Sequence, residues 1–131
     1  MLHPRQRVLL LDTMRPPPGY QLDHAIGTTY SLDLKMLLSV PLAFTFEGWE
    51  DEEGITRDPH SLLRSVWSYA DKMHLFCQAG QIKAPAKAHK LLSYLEDSVF
   101  EVNVPRAGGM GGVFHPKVWV LRYLPDPAYE E

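Results

Sequence analysis

The feature that most constrains this chain is an alternation. Short runs rich in β-branched, aromatic and apolar residues recur along it, and stretches with helical spacing lie between them. Residues 25–31 (AIGTTYS), 73–78 (MHLFCQ), 99–104 (VFEVNV) and 113–124 (VFHPKVWVLRYL) carry the strand pattern. Leu34, Leu37 and Leu38 share one face of a helix predicted over 32–40. Leu62, Leu63, Val66, Trp67 and Ala70 do the same for a helix that runs to Ala70, with Asp58 as its cap and Pro59 at its first position. Leu91, Leu92 and Leu95 mark the inward face of an amphipathic helix over 83–97, with Pro85 near its start. Such alternation predicts an α/β fold, a mixed β-sheet flanked by helices. A chain of 131 residues fills one core and not two. Residues 1–131 therefore read as a single domain, with 1–24 as a lead-in and 125–131 as a tail. An eightfold α/β barrel, which needs about 250 residues, is excluded.

Proline and glycine punctuate the pattern. Arg15-Pro16-Pro17-Pro18-Gly19 stops a short helix over 5–14, and Pro41 bends or ends the next one. The acidic stretch 48–58 reads as an exposed loop, and the glycine-rich 108–112 as a flexible connection. Thirteen Lys and Arg against sixteen Asp and Glu give a net charge of −3. A dedicated nucleic-acid binder of this size is more often basic, which leaves room only for a local basic cleft. The longest apolar stretch, 34–46, is interrupted by Lys35, Ser39 and Pro41. It falls short of the roughly 18 residues of a membrane span. Four apolar residues before Asp12 are too few for a secretory leader. The single cysteine, Cys77, has no partner for an internal disulfide. Together these features predict a cytoplasmic protein.

Most familiar chemistries fail on spacing. A P-loop needs Gly-Lys followed by Ser or Thr, and the chain has no such triplet. A dinucleotide fingerprint needs a third glycine where Phe114 stands, and a strand follows instead of a helix. The six histidines form no His-x3-His pair and Cys77 has no Cys-x2-Cys partner, so neither a metal nor a cofactor is predicted. Cys77 lies in an apolar run, the setting of a buried inert thiol. What remains is His115-Pro116-Lys117, opening Val118-Trp119-Val120-Leu121. On a strand, residues two apart face the same way, about 6.5–7 Å from each other. An imidazole can attack phosphorus or pass a proton, and an ammonium can neutralise phosphate oxygens. An exposed strand face with an unrelated His and Lys would look the same. Lys83, Lys87 and Lys90 fall on one face of the predicted second helix, and Arg106, Lys117 and Arg122 flank the motif. The lysine stripe reads either as a phosphate track or as a solvated helix face.

The stretch 112–124 (GVFHPKVWVLRYL) resembles the His-x-Lys segment of the phospholipase D-like superfamily, in its nuclease-like bacterial branch. Residues 27–33 (GTTYSLD) look like that branch's first strand and its turn into a helix, and 73–80 fits the next strand. The resemblance covers about residues 25–124 and is most specific at the motif itself. It implies a mixed sheet between helices and metal-independent phosphodiester cleavage through a phosphohistidine. By the same analogy His115 is nucleophile or acid and Lys117 is a phosphate clamp; from the distribution of basic residues, Arg122 and Lys90 are the expected substrate contacts. Members of this family use two His-x-Lys segments, whereas this chain has one. The resemblance therefore implies completion by a second lobe or by a homodimer whose twofold axis passes through the site. The family pattern continues with four residues and then Asp; Arg122 stands at that position here. That departure supports an alternative, an inactive binding or assembly module of the same fold, associated with DNA or RNA.

Overall fold

A computed structural model describes residues 13–45, 59–84, 90–105 and 111–129. The lead-in over 5–12, the acidic stretch 48–58 with Asp58, Lys87, Arg106, 108–110 and the last two residues lie outside the described residues. In chain order the elements are β1 (Tyr20–Thr29), β2 (Leu32–Asp33), the one-turn helix α1 (Leu34–Leu37), α2 (Ser39–Thr45) and α3 (Pro59–Tyr69). A 3-10 turn over Ala70–Lys72 leads into β3 (Met73–Gln78) and β4 (Ile82–Lys83). A 3-10 helix over Lys90–Ser98 precedes β5 (Val99–Val102), and β6 (Trp119–Pro125) ends in a 3-10 turn over Pro127–Tyr129.

Four strands form one sheet in the order β5-β3-β1-β6. β1, β3 and β5 run parallel, with Ala25 opposite Met73 and Phe76 opposite Phe100. β6 returns antiparallel on the free side of β1, with Gly27 opposite Trp119. β2 and β4 form a separate parallel pair. This is the α/β fold with a mixed sheet that the alternation predicts. The core lies between one sheet face and the helices, where Leu22, Ala25, Met73, Leu75 and Cys77 meet Leu37, Phe44, Val66 and Leu95. On the opposite face His24 and His74 stack, with Nε2 of His24 2.9 Å from Nδ1 of His74. The row continues through Phe100 to Phe76. Among the described residues no helix is long and apolar enough to cross a membrane.

Several elements differ from the sequence-based expectations. β1 starts at Tyr20 rather than residue 25, because a register shift between Leu22 and His24 breaks the period of two. The buried residues Leu22 and Ala25 are three apart, so the alternation is hidden in the sequence. Within the helix predicted over 32–40, Leu32–Asp33 is strand β2 and the rest is two short helices broken at Leu38, where the Ser39 hydroxyl donates to the Met36 carbonyl. Pro41 does not end the helix. It lies in the first turn of α2, where a missing N–H costs nothing. Trp67 is not inward: it is 62% exposed, edge-on to Tyr94, while Val66 beside it is fully buried.

The helix predicted over 83–97 divides. Ile82–Lys83 is strand β4, and Lys90–Ser98 winds as a 3-10 helix. Leu92, Leu95 and Ser98 are buried, a spacing of three that matches 3.0 residues per turn. Hydroxyls at both ends suit the tighter winding: Ser93 donates to the Lys90 carbonyl and Ser98 to the Ala70 carbonyl. Lys83 and Lys90 therefore belong to different elements and do not form one helical stripe.

Candidate functional site

β6 is shorter at its start than the sequence pattern predicts. Residues 111–118 have no regular secondary structure, and β6 begins at Trp119. His115 and Lys117 thus precede the strand rather than lie on it. The strand rule that placed them on one face does not apply. Pro116, with no N–H, cannot donate to a sheet ladder and suits an irregular approach. Both His115 and Lys117 are exposed.

The segment is nonetheless tied down at both ends. Phe114 N donates to Oε1 of Gln78, the last residue of β3, at 2.7 Å. At the other end, Val118 N donates to the Thr28 hydroxyl at 3.0 Å, and Thr28 N donates to the Val118 carbonyl at 2.9 Å. Between these ties, the Tyr30 ring stands 5.1 Å from the His115 imidazole, tilted by 46°. Upstream, a Cβ added at Gly112 would collide with Val104, so glycine permits close approach there. The result places His115 and Lys117 at the carboxyl ends of the parallel strands β1 and β3. Ligands of open α/β sheets bind at that edge.

Arg122 lies elsewhere. It is opposite His24 in the β1–β6 register, five residues beyond Lys117, or about 17 Å along an extended chain. Its Nε donates to Asp23 Oδ2 at 2.5 Å, and Nη2 makes an ion pair with the same oxygen. Lys90 is exposed at the start of its 3-10 helix, and its carbonyl accepts the Ser93 hydroxyl. That helix ends at Ser98, tied to Ala70 beside the start of β3. Lys90 and that tie therefore stand at opposite ends of the helix.

Cys77 is buried, and burial first, then the Glu101 carboxylate, pushes its thiol above the usual range. It remains protonated at neutral pH, in keeping with an inert core thiol. Among the described residues no group of three or more His, Cys, Asp or Glu is placed to hold a metal.

The residues that sequence reasoning missed are Thr28, Tyr30 and Gln78. Their only signal was position: each is polar or amphipathic at the end of a strand-like run. Nothing in composition marked them as neighbours of the segment around His115, because their contacts span 36 to 90 residues of chain. Comparisons of the chain with family models, curated proteins and solved structures give no match.

Proposed function

We propose that this chain is one lobe of a phospholipase D-like phosphodiesterase of the nuclease-like kind, completed by a second His-x-Lys lobe, from a homodimer partner or another segment. The observation that supports it is the placement of His115-Pro116-Lys117: exposed, tied at both ends, and at the carboxyl edge of the parallel strands. In this reading an imidazole nitrogen of one histidine attacks phosphorus. A P–N bond forms, the P–O bond to the leaving group breaks, and the second histidine, as imidazolium, gives that oxygen its proton. The second histidine then takes a proton from water, the hydroxide attacks phosphorus, and the P–N bond breaks. His115 fills either role. Lys117 neutralises the phosphate oxygens as charge builds on them. A DNA or RNA backbone is the substrate class, with Lys90 as an outlying phosphate contact. Arg122 joins only by exchanging Asp23 for phosphate.

A specific observation favours a second reading, the inactive binding module. Where the family pattern has an acid, Arg122 is engaged with Asp23 in a contact between β1 and β6. Hydrolysis of a chromogenic phosphodiester such as bis(p-nitrophenyl) phosphate decides between the two. The enzyme reading expects turnover that His115→Ala lowers by about 10²–10⁴-fold or more. It also expects a chelator to leave the rate unchanged. Absence of turnover, with salt-sensitive DNA binding that survives His115→Ala, would establish the module instead.

A further inference from the structure

We infer that Gln78 is a positioning residue for His115, acting through the main chain of Phe114. The inference rests on the reading of His115 as a reacting group, but the contacts behind it can be measured without any turnover. Gln78 ends β3 and makes three bonds at once. Its N–H donates to the Tyr30 carbonyl at 3.1 Å, its Oε1 accepts Phe114 N–H at 2.7 Å, and its carbonyl accepts Gln81 N–H at 3.1 Å. Tyr30 carries the ring against the His115 imidazole, and Phe114 is the residue before it. One glutamine thus holds the backbone on both sides of that imidazole.

The need for such a residue follows from the loss of strand structure over 111–118. A partly buried backbone N–H requires an acceptor, and Phe114 has no ladder partner to supply one. A side-chain amide at the end of β3 reaches past the last strand residue and supplies it. Thr28 does the equivalent for Val118. His115-Pro116-Lys117 is then strung between two fixed points, one on β3 and one on β1. Freeing the Phe114 end removes one of these two points.

The test uses two variants of nearly equal shape in the full chain. Gln78→Leu removes the acceptor; Gln78→Glu keeps it. In Gln78→Leu, Phe114 amide exchange should accelerate and the His115 ring protons should shift as the Tyr30 ring current changes. In Gln78→Glu both signals should stay near wild type. With a phosphodiester substrate, Gln78→Leu should lower kcat by about 10–10²-fold with KM little changed, since small displacements of a reacting group cost rates of that order. Gln78→Glu should largely retain kcat and raise KM, because its charge repels phosphate. If wild type hydrolyses nothing, the functional reading fails while the exchange and ring signals still decide the tether. The inference is overturned if Gln78→Leu leaves those signals at their wild-type values. It is equally overturned if the two variants lower kcat alike.

Discussion

Gly27 lies in β1 where its two neighbours close over it. A Cβ there would stand 2.7 Å from Leu75 Cδ2 and 2.7 Å from the Trp119 ring, so the indole packs across the bare backbone. Gly27→Ala should cost about 1–3 kcal/mol, the usual range for overpacking a core. Urea unfolding followed by Trp fluorescence would show it, with a changed native emission as Trp119 moves. Tyr123 makes a different kind of core contact: its hydroxyl donates to the Met14 carbonyl at 2.8 Å. Burial pushes its pKa above the usual tyrosine value, and Tyr69 is raised likewise, by burial first and then by Asp126. A raised folded value means the protonated form is favoured in the fold. The stabilisation is complete below the unfolded value near 10 and is lost as pH rises through the folded one. Stability should therefore hold through neutral pH and fall above about pH 10. Tyr123→Phe should cost about 1 kcal/mol at neutral pH and flatten part of that alkaline fall.

The 3-10 helix over Lys90–Ser98 shows where a pattern in sequence stops specifying an element. Leu92 and Leu95 satisfy helical spacing in both windings, so the leucines cannot distinguish 3.6 residues per turn from 3.0. The buried Ser98 decides it, through a bond to Ala70 that lies 28 residues away in sequence. Strands were legible where a short run of strand-forming residues marks them, as in β3 and β5, and illegible where β1 carries its register shift. The motif His115-Pro116-Lys117 was legible as a tripeptide. Its departure from strand geometry was not, because the ties at Gln78 and Thr28 come from distant chain. A stability comparison probes the two helices. Leu95 is 1% exposed, and Leu95→Ala should cost about 2–5 kcal/mol. Trp67→Ala, despite the larger side chain, should cost less than about 1.5 kcal/mol, since the ring is mostly exposed and its aromatic partner is the edge-on Tyr94. The reverse order in thermal or urea unfolding would mean that Trp67 faces the core.

Taken whole, the molecule has a core on one face of its sheet and a tethered His-Pro-Lys segment at one edge of that sheet. The fold is complete enough to hold His115 and Lys117 in place, yet the proposed reaction consumes two histidines, one bonding to phosphorus and one moving protons. A net charge of −3 gives no general attraction to a polyanion, so substrate capture falls to local cations. Two copies of this chain joined at the site would bring their Lys117 side chains together and double that local charge. If the second lobe is another copy of this chain, the reacting pair is His115 and the partner subunit's His115. A mixed dimer with one His115→Ala subunit then lacks either nucleophile or acid, whichever role the missing ring would have taken. Specific activity of co-refolded mixtures should accordingly fall as the square of the wild-type fraction, with the active species eluting as a dimer. A linear fall would mean that each chain works without its copy and that the second histidine must come from elsewhere.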